Sequence, residues 1–122
     1  MPHIHLEYSD NIEKLEVKPL LKALNTALIL GGYAQAGLDI KSRAVCQHDY
    51  VIGEDEQNQA YLHAKISLLT GRSVELRQEI SACMLKVLAD NLPDQINVTV
   101  QLCVEVLEMS RDIYAKQIVS PN

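Results

Sequence analysis

This chain of 122 residues contains no phenylalanine and no tryptophan, and five tyrosines are its only large rings. Its core must therefore be built from Leu, Ile, Val and Ala. Cysteine is also scarce. Cys46, Cys83 and Cys103 are odd in number and lack CxxC spacing, so they read as buried or idle thiols in a reducing compartment, not a disulfide framework. No run is apolar enough to span a bilayer and the N-terminus carries no signal-peptide pattern, which makes the cytoplasm the expected location and a membrane an unexpected partner. Excess positive charge is missing too. A formal net charge of −5 argues against nucleic acid, where affinity comes mainly from neutralising phosphates. It leaves room for a small anionic substrate, because a few cations focused in a cleft outweigh the global balance. There is no Gly-rich phosphate loop, no Ser-His-Asp set and no context for a nucleophilic cysteine.

What is present is enough for a core: 48% of residues are hydrophobic and 22% charged, in a length that suits one domain. Residues 2–8 alternate in polarity, with Ile4, Leu6 and Tyr8 on one side, the period of a half-buried strand; Ser9-Asp10-Asn11 reads as the turn after it. From Val17 the pattern becomes helical, with Leu20, Leu21, Leu24, Ala27 and Leu28 on one stripe. Pro19 fits the first turn and Gly31-Gly32 the stop. Leu38 to Cys46 reads as a second strand, with Lys41 and Arg43 on one face and Ile40, Ser42 and Ala44 on the other.

The acidic loop Asp49–Asn58 marks the midpoint, after which the order recurs. Ala60, Leu62, Ala64, Ile66 and Leu68 alternate as a strand, and Ser73 is a candidate N-cap for a helix with Leu76, Ile80, Cys83, Met84, Val87 and Leu88 on its apolar stripe. Beyond Pro93, the even positions from Ile96 to Val106 alternate as a long strand, and the tail from Ser110 reads as a helical turn or an arm. The expected architecture is one domain over residues 1–122, an α/β (α+β) two-layer sandwich of two consecutive βαβ units, with pseudo-repeat halves at about 2–50 and 58–108. Its four-stranded mixed sheet carries two helices on one face. The strands around Ala60–Leu68 and Val98–Val106 look apolar enough to require cover on the second face as well, which points to self-association.

Several residues suggest chemistry. An α-amino group titrates at about 7.7–8.0, close to where a general base is most effective. Pro2, exposed once Met1 is removed, would offer a secondary amine whose ring fixes the lone pair, and nearby cations would lower its pKa further. Arg72, between Gly71 and Ser73 at a turn before a helix, can clamp a carboxylate bidentately. His3 and His5 could in principle ligate a metal, but with no third ligand in the pattern they read as structural or solvent-exposed.

The block Met1-Pro2-His3-Ile4-His5-Leu6-Glu7-Tyr8-Ser9-Asp10-Asn11-Ile12, with Ile40-Lys41-Ser42-Arg43 and Gly71-Arg72-Ser73 further on, resembles 5-carboxymethyl-2-hydroxymuconate isomerase, a family of the tautomerase superfamily. The resemblance covers most of the chain and loosens toward the C-terminus. It implies a homotrimer, no cofactor, and a site built on the N-terminal proline. The implied reaction moves a proton between carbons of an unsaturated 2-hydroxy or 2-oxo acid carrying two or three carboxylates, within bacterial breakdown of an aromatic compound. It also implies that Pro2 is the catalytic base and that Arg72 contacts substrate. Lys41 departs from the family, whose characterised members have arginine there; lysine is a point charge without the planar fork. Arg43, on the same strand face, is a further candidate cation, or equally a surface or inter-subunit ion pair. Dehalogenases and decarboxylases of the superfamily, and a non-catalytic trimeric binding protein, are the alternatives.

Overall fold

A computed structural model describes residues 1–35 and 37–122. Four strands and two long helices follow in the order β1 (His3–Ser9), α1 (Val17–Leu30), β2 (Lys41–Gln47), β3 (Gln59–Leu69), α2 (Val74–Asp90) and β4 (Thr99–Met109), with one 3₁₀ turn at Gly37–Asp39 before β2. The sheet order is β2-β1-β3-β4. Each βαβ unit makes a parallel pair, β1 with β2 and β3 with β4, and the two units join through the antiparallel pair β1 with β3. The result is the expected mixed sheet with both helices on one face.

The helices form where the apolar spacing predicts. Leu20, Leu24 and Leu28 on α1, and Ile80, Met84 and Leu88 on α2, repeat every fourth residue and are essentially inaccessible to solvent. They meet Ile4, Leu6 and the even residues Ala60 to Leu68 of the two central strands. Ser73 caps α2, its hydroxyl accepting from the Leu76 N–H at 3.1 Å. At the end of α1 it is Gly32, with φ +74°, that takes the left-handed conformation, while Gly31 stays right-handed.

Three expectations need correction. The second strand starts at Lys41, not Leu38, because Gly37–Asp39 form the 3₁₀ turn. Ser9 is part of β1, not the turn. It is buried, and its hydroxyl accepts from the Tyr61 N–H at 3.0 Å, which replaces the apolar contact its position would otherwise make. The apolar residues of β3 and β4 lie mostly on the helix side and not on the second face, where Leu107 of β4 is exposed. Strict alternation sends Ala60 to Leu68 and Val100 to Val106 toward the helices, and leaves Tyr61, His63 and Lys65 beside Gln101, Cys103 and Glu105 on the open face. That face holds a His63–Glu105 contact of 3.0 Å and is predominantly polar. The thiols are free, Cys103 exposed and Cys46 and Cys83 half-buried. No described helix is long and apolar enough to cross a membrane.

Candidate active site

Strand register determines which residues meet. His3 pairs with Lys41 on β2 and with Ser67 on β3, and Leu69 at the end of β3 pairs with Met109 on β4. The chain start, the first residue of β2, the β3–α2 turn and the segment after β4 therefore share one end of the sheet. Pro2 is buried there, and its carbonyl accepts from the Lys41 N–H at 3.2 Å. Met1 precedes it, so the free amine in this structure is that of Met1.

The surroundings of that amine are cationic. Partial burial, first of all, lowers its pKa below the ordinary 8.0 of an α-amine; the Asp39 carboxylate opposes the shift, while Lys41, Lys116 and Arg72 reinforce it. Lys41 Nζ donates to the Asp39 carbonyl at 3.2 Å. Lys116 Nζ lies 3.3 Å from Asp39 Oδ1, and chiefly through that hydrogen bond holds the Asp39 carboxyl below its usual range. Arg72 uses two nitrogens as a staple, donating to the Leu69 and Tyr33 carbonyls at 3.2 Å each. Its remaining N–H groups are uncommitted to these bonds. Tyr33, in the loop after α1, donates its hydroxyl to Glu79 at 2.6 Å, and that bond pushes its pKa up to about 12.

Of the four residues singled out from the sequence, Pro2, Lys41 and Arg72 converge at this end. Arg43 does not join them. Its guanidinium spans the open face of β1, one nitrogen 2.8 Å from His5 Nε2 and the other 2.9 Å from His3 Nδ1. A guanidinium only donates, so each imidazole accepts through a ring lone pair and is neutral in this arrangement. Burial, followed by the Arg43 charge, lowers the pKa of each. Asp39 and Lys116 were not anticipated: nothing in a lone Asp at a strand entry or a lone Lys near the chain end marks either one. An open cleft of about 870 Å³ lies at the far end of the sheet between the start of α1 and the loop after α2, lined by Glu13, Glu16, Asp90 and Asp94 among others. Its rim is mostly acidic, whereas Lys41, Arg72 and Lys116 gather at the opposite end.

Two βαβ units in one mixed sheet, with an N-terminal amine set among cations at the sheet end, define a small isomerase of the tautomerase type. The family model for 5-carboxymethyl-2-hydroxymuconate isomerase matches residues 2–119, and the chain belongs to that family. Among solved structures it is similar to a 5-carboxymethyl-2-hydroxymuconate isomerase from Deinococcus radiodurans R1, at 28% identity and TM-score 0.84, over 95% of this chain and 88% of that one. A 5-carboxymethyl-2-hydroxymuconate delta-isomerase shares the fold at 16% identity and TM-score 0.78, over 98% and 89% of the two chains. A fused 4-OT described as a wild-type symmetric trimer does so at 18% identity and TM-score 0.65, over 87% and 85%. No curated protein matches the sequence.

Proposed function

We propose that this isomerase moves a proton within an unsaturated 2-hydroxy or 2-oxo carboxylic acid, with 5-carboxymethyl-2-hydroxymuconate as the first candidate, and that Pro2 is the base once Met1 is removed. The observation that carries this reading is the depressed pKa of the N-terminal amine beside Lys41 and Arg72. A prolyl amine one residue further in would meet the same cations, which disfavour its protonated form as a base requires. It takes a proton from the substrate's hydroxyl or adjacent carbon. The resulting dienolate spreads its charge toward carboxylates held by Lys41 and Arg72, and the prolinium returns the proton at a distant carbon of the conjugated chain. One group serves both transfers, so atoms and charge balance without a co-reactant.

A homotrimer belongs to the same proposal. Its support is the trimeric 4-OT neighbour and the exposure of Ile113, Ile118 and Val119 on the C-terminal segment, apolar groups that a neighbouring subunit would cover.

The test is a UV assay of 5-carboxymethyl-2-hydroxymuconate isomerisation by protein that intact mass shows to begin at Pro2. Conversion is expected, and Pro2→Ala should lower turnover roughly 10²-fold, the scale of a positioned general base. Absence of conversion by folded protein would overturn the substrate. An unchanged rate in Pro2→Ala would overturn the base.

A second reading rests on Asp39. A carboxylate held ionised beside the amine is what a hydrolytic relative needs to activate water. Halide release from a 3-haloacrylate, lost in Asp39→Asn, would favour it over the isomerase substrate.

A further inference from the structure

The segment after β4 is held across the site by three successive contacts. Arg111 Nε donates to the Thr70 carbonyl at 2.6 Å, beside the β3–α2 turn. The Tyr114 hydroxyl lies 3.0 Å from His3 Nε2, with the two rings edge to face at 6.1 Å between centroids. Lys116 then reaches Asp39 Oδ1 at 3.3 Å and lies 3.3 Å from Met1 Sδ. These anchors sit on the β3–α2 turn, on β1 and on the entry to β2, so the arm crosses the sheet end where the amine lies. The middle anchor is itself braced: Arg43 occupies Nδ1 of His3, which leaves the Nε2 proton for the tyrosine.

Charge at the site then has a simple count. With the amine neutral, Lys41, Arg72 and Lys116 contribute three positive charges and Asp39 one negative, a balance of +2 among the groups that act on the amine. A dicarboxylate neutralises that balance; a monocarboxylate leaves one cation unmatched. Without Lys116 the balance falls to +1, which a single carboxylate already neutralises. The Lys116–Asp39 contact is also easily exchanged. The ammonium is about a quarter exposed (26%) and the carboxylate somewhat more (37%), a setting in which such pairs are weak. The other neighbour of Lys116 is the Met1 thioether, and removal of Met1 takes it away. That would leave the ammonium donor without its thioether neighbour.

We propose that Lys116, carried into place by the C-terminal arm, is a specificity-determining ligand for the second carboxylate of the substrate, and that Tyr114 on His3 is the contact that positions it. The inference rests on the reading above for the location of the site, and its test does not depend on turnover. Protein beginning at Pro2 is titrated calorimetrically with trans,trans-muconate and with sorbate, the same six-carbon diene with one carboxylate replaced by methyl. In Lys116→Gln the muconate Kd should rise about tenfold, equivalent to about 1.4 kcal/mol, while the sorbate Kd moves less than about twofold. Lys116→Arg should keep the muconate affinity within about threefold, since the charge remains. Tyr114→Phe, which keeps the ring and loses the hydroxyl, should weaken muconate in the same direction by a smaller factor. Equal losses for the two ligands, or no loss for muconate, would overturn the assignment. Intact muconate selectivity with no turnover of any enol acid would instead sink the isomerase substrate and leave the assignment standing.

Discussion

Replacing Arg72 with alanine separates two duties that the structure assigns to one side chain. Two of its nitrogens tie the Leu69 and Tyr33 carbonyls, at 3.2 Å each, so the guanidinium links the end of β3 to the loop after α1. Hydrogen bonds from charged donors contribute about 1.5–3 kcal/mol each, and half-exposed ones fall at the low end, so Arg72→Ala should cost roughly 2–3 kcal/mol of stability. With urea slopes of about 1–3 kcal/mol per molar, the unfolding midpoint should drop by about 1 M or more at fixed protein concentration. The remaining N–H groups are those available to a substrate carboxylate. Losing one partner of such a charge pair costs about 2–4 kcal/mol, or about thirty- to a thousandfold in kcat/KM. Arg72→Lys should restore part of the activity and little of the stability, because an ammonium cannot hold two carbonyls in a fork. A wild-type urea midpoint in Arg72→Ala would refute the staple. A wild-type kcat/KM on 5-carboxymethyl-2-hydroxymuconate would refute the carboxylate role.

Further expectations concern pH and packing. For protein beginning at Pro2, kcat/KM should rise with pH through a limb below the ordinary 8.0 of an α-amine, since burial and three cations disfavour the protonated form; a limb at or above that value would contradict the electrostatics. His3 and His5 both have folded pKa values below the ordinary 6.5, so between the folded and unfolded values the unfolded chain binds more protons and stability falls as pH falls. Urea midpoints should therefore drop on acidification from pH 7 below about 6.5, and a His3→Asn, His5→Asn double variant should flatten that slope; an unchanged slope would refute it. Leu24→Ala, at a fully inaccessible site between α1 and the sheet, should cost about 2–5 kcal/mol in urea unfolding while leaving kcat/KM of the folded protein near wild type. A cost below that range would mean the helix layer is not packed as described.

The elements were largely legible because each one carries its own period. Ala60 to Leu68 repeat at every second residue and Leu20, Leu24, Leu28 at every fourth, and both patterns follow from backbone geometry alone. Ser73 and the Gly31-Gly32 pair marked helix ends through chemistry local to a few residues. The N-terminal block and Gly71-Arg72-Ser73 pointed to the family, and the family model covers residues 2–119. Local spacing does not show a role that depends on distant partners. Ser9 looks like a turn residue until Tyr61, fifty-two positions away, supplies its hydrogen bond. The alternation of β3 and β4 assigns their apolar residues mostly to the helix side, which total hydrophobic content does not show.

The sequence alone determined the periodic elements, their order and the family, since these depend on local spacing and on a contiguous motif. Only the tertiary structure decided that Arg43 turns away to His3 and His5 while Asp39 and Lys116, seventy-seven residues apart, come to the N-terminal amine. The antiparallel join of β1 to β3, and with it the shared end of the sheet, follows from how the apolar faces of the two βαβ units pack together on two helices. Long-range register is a property of that packing, and no local period encodes it.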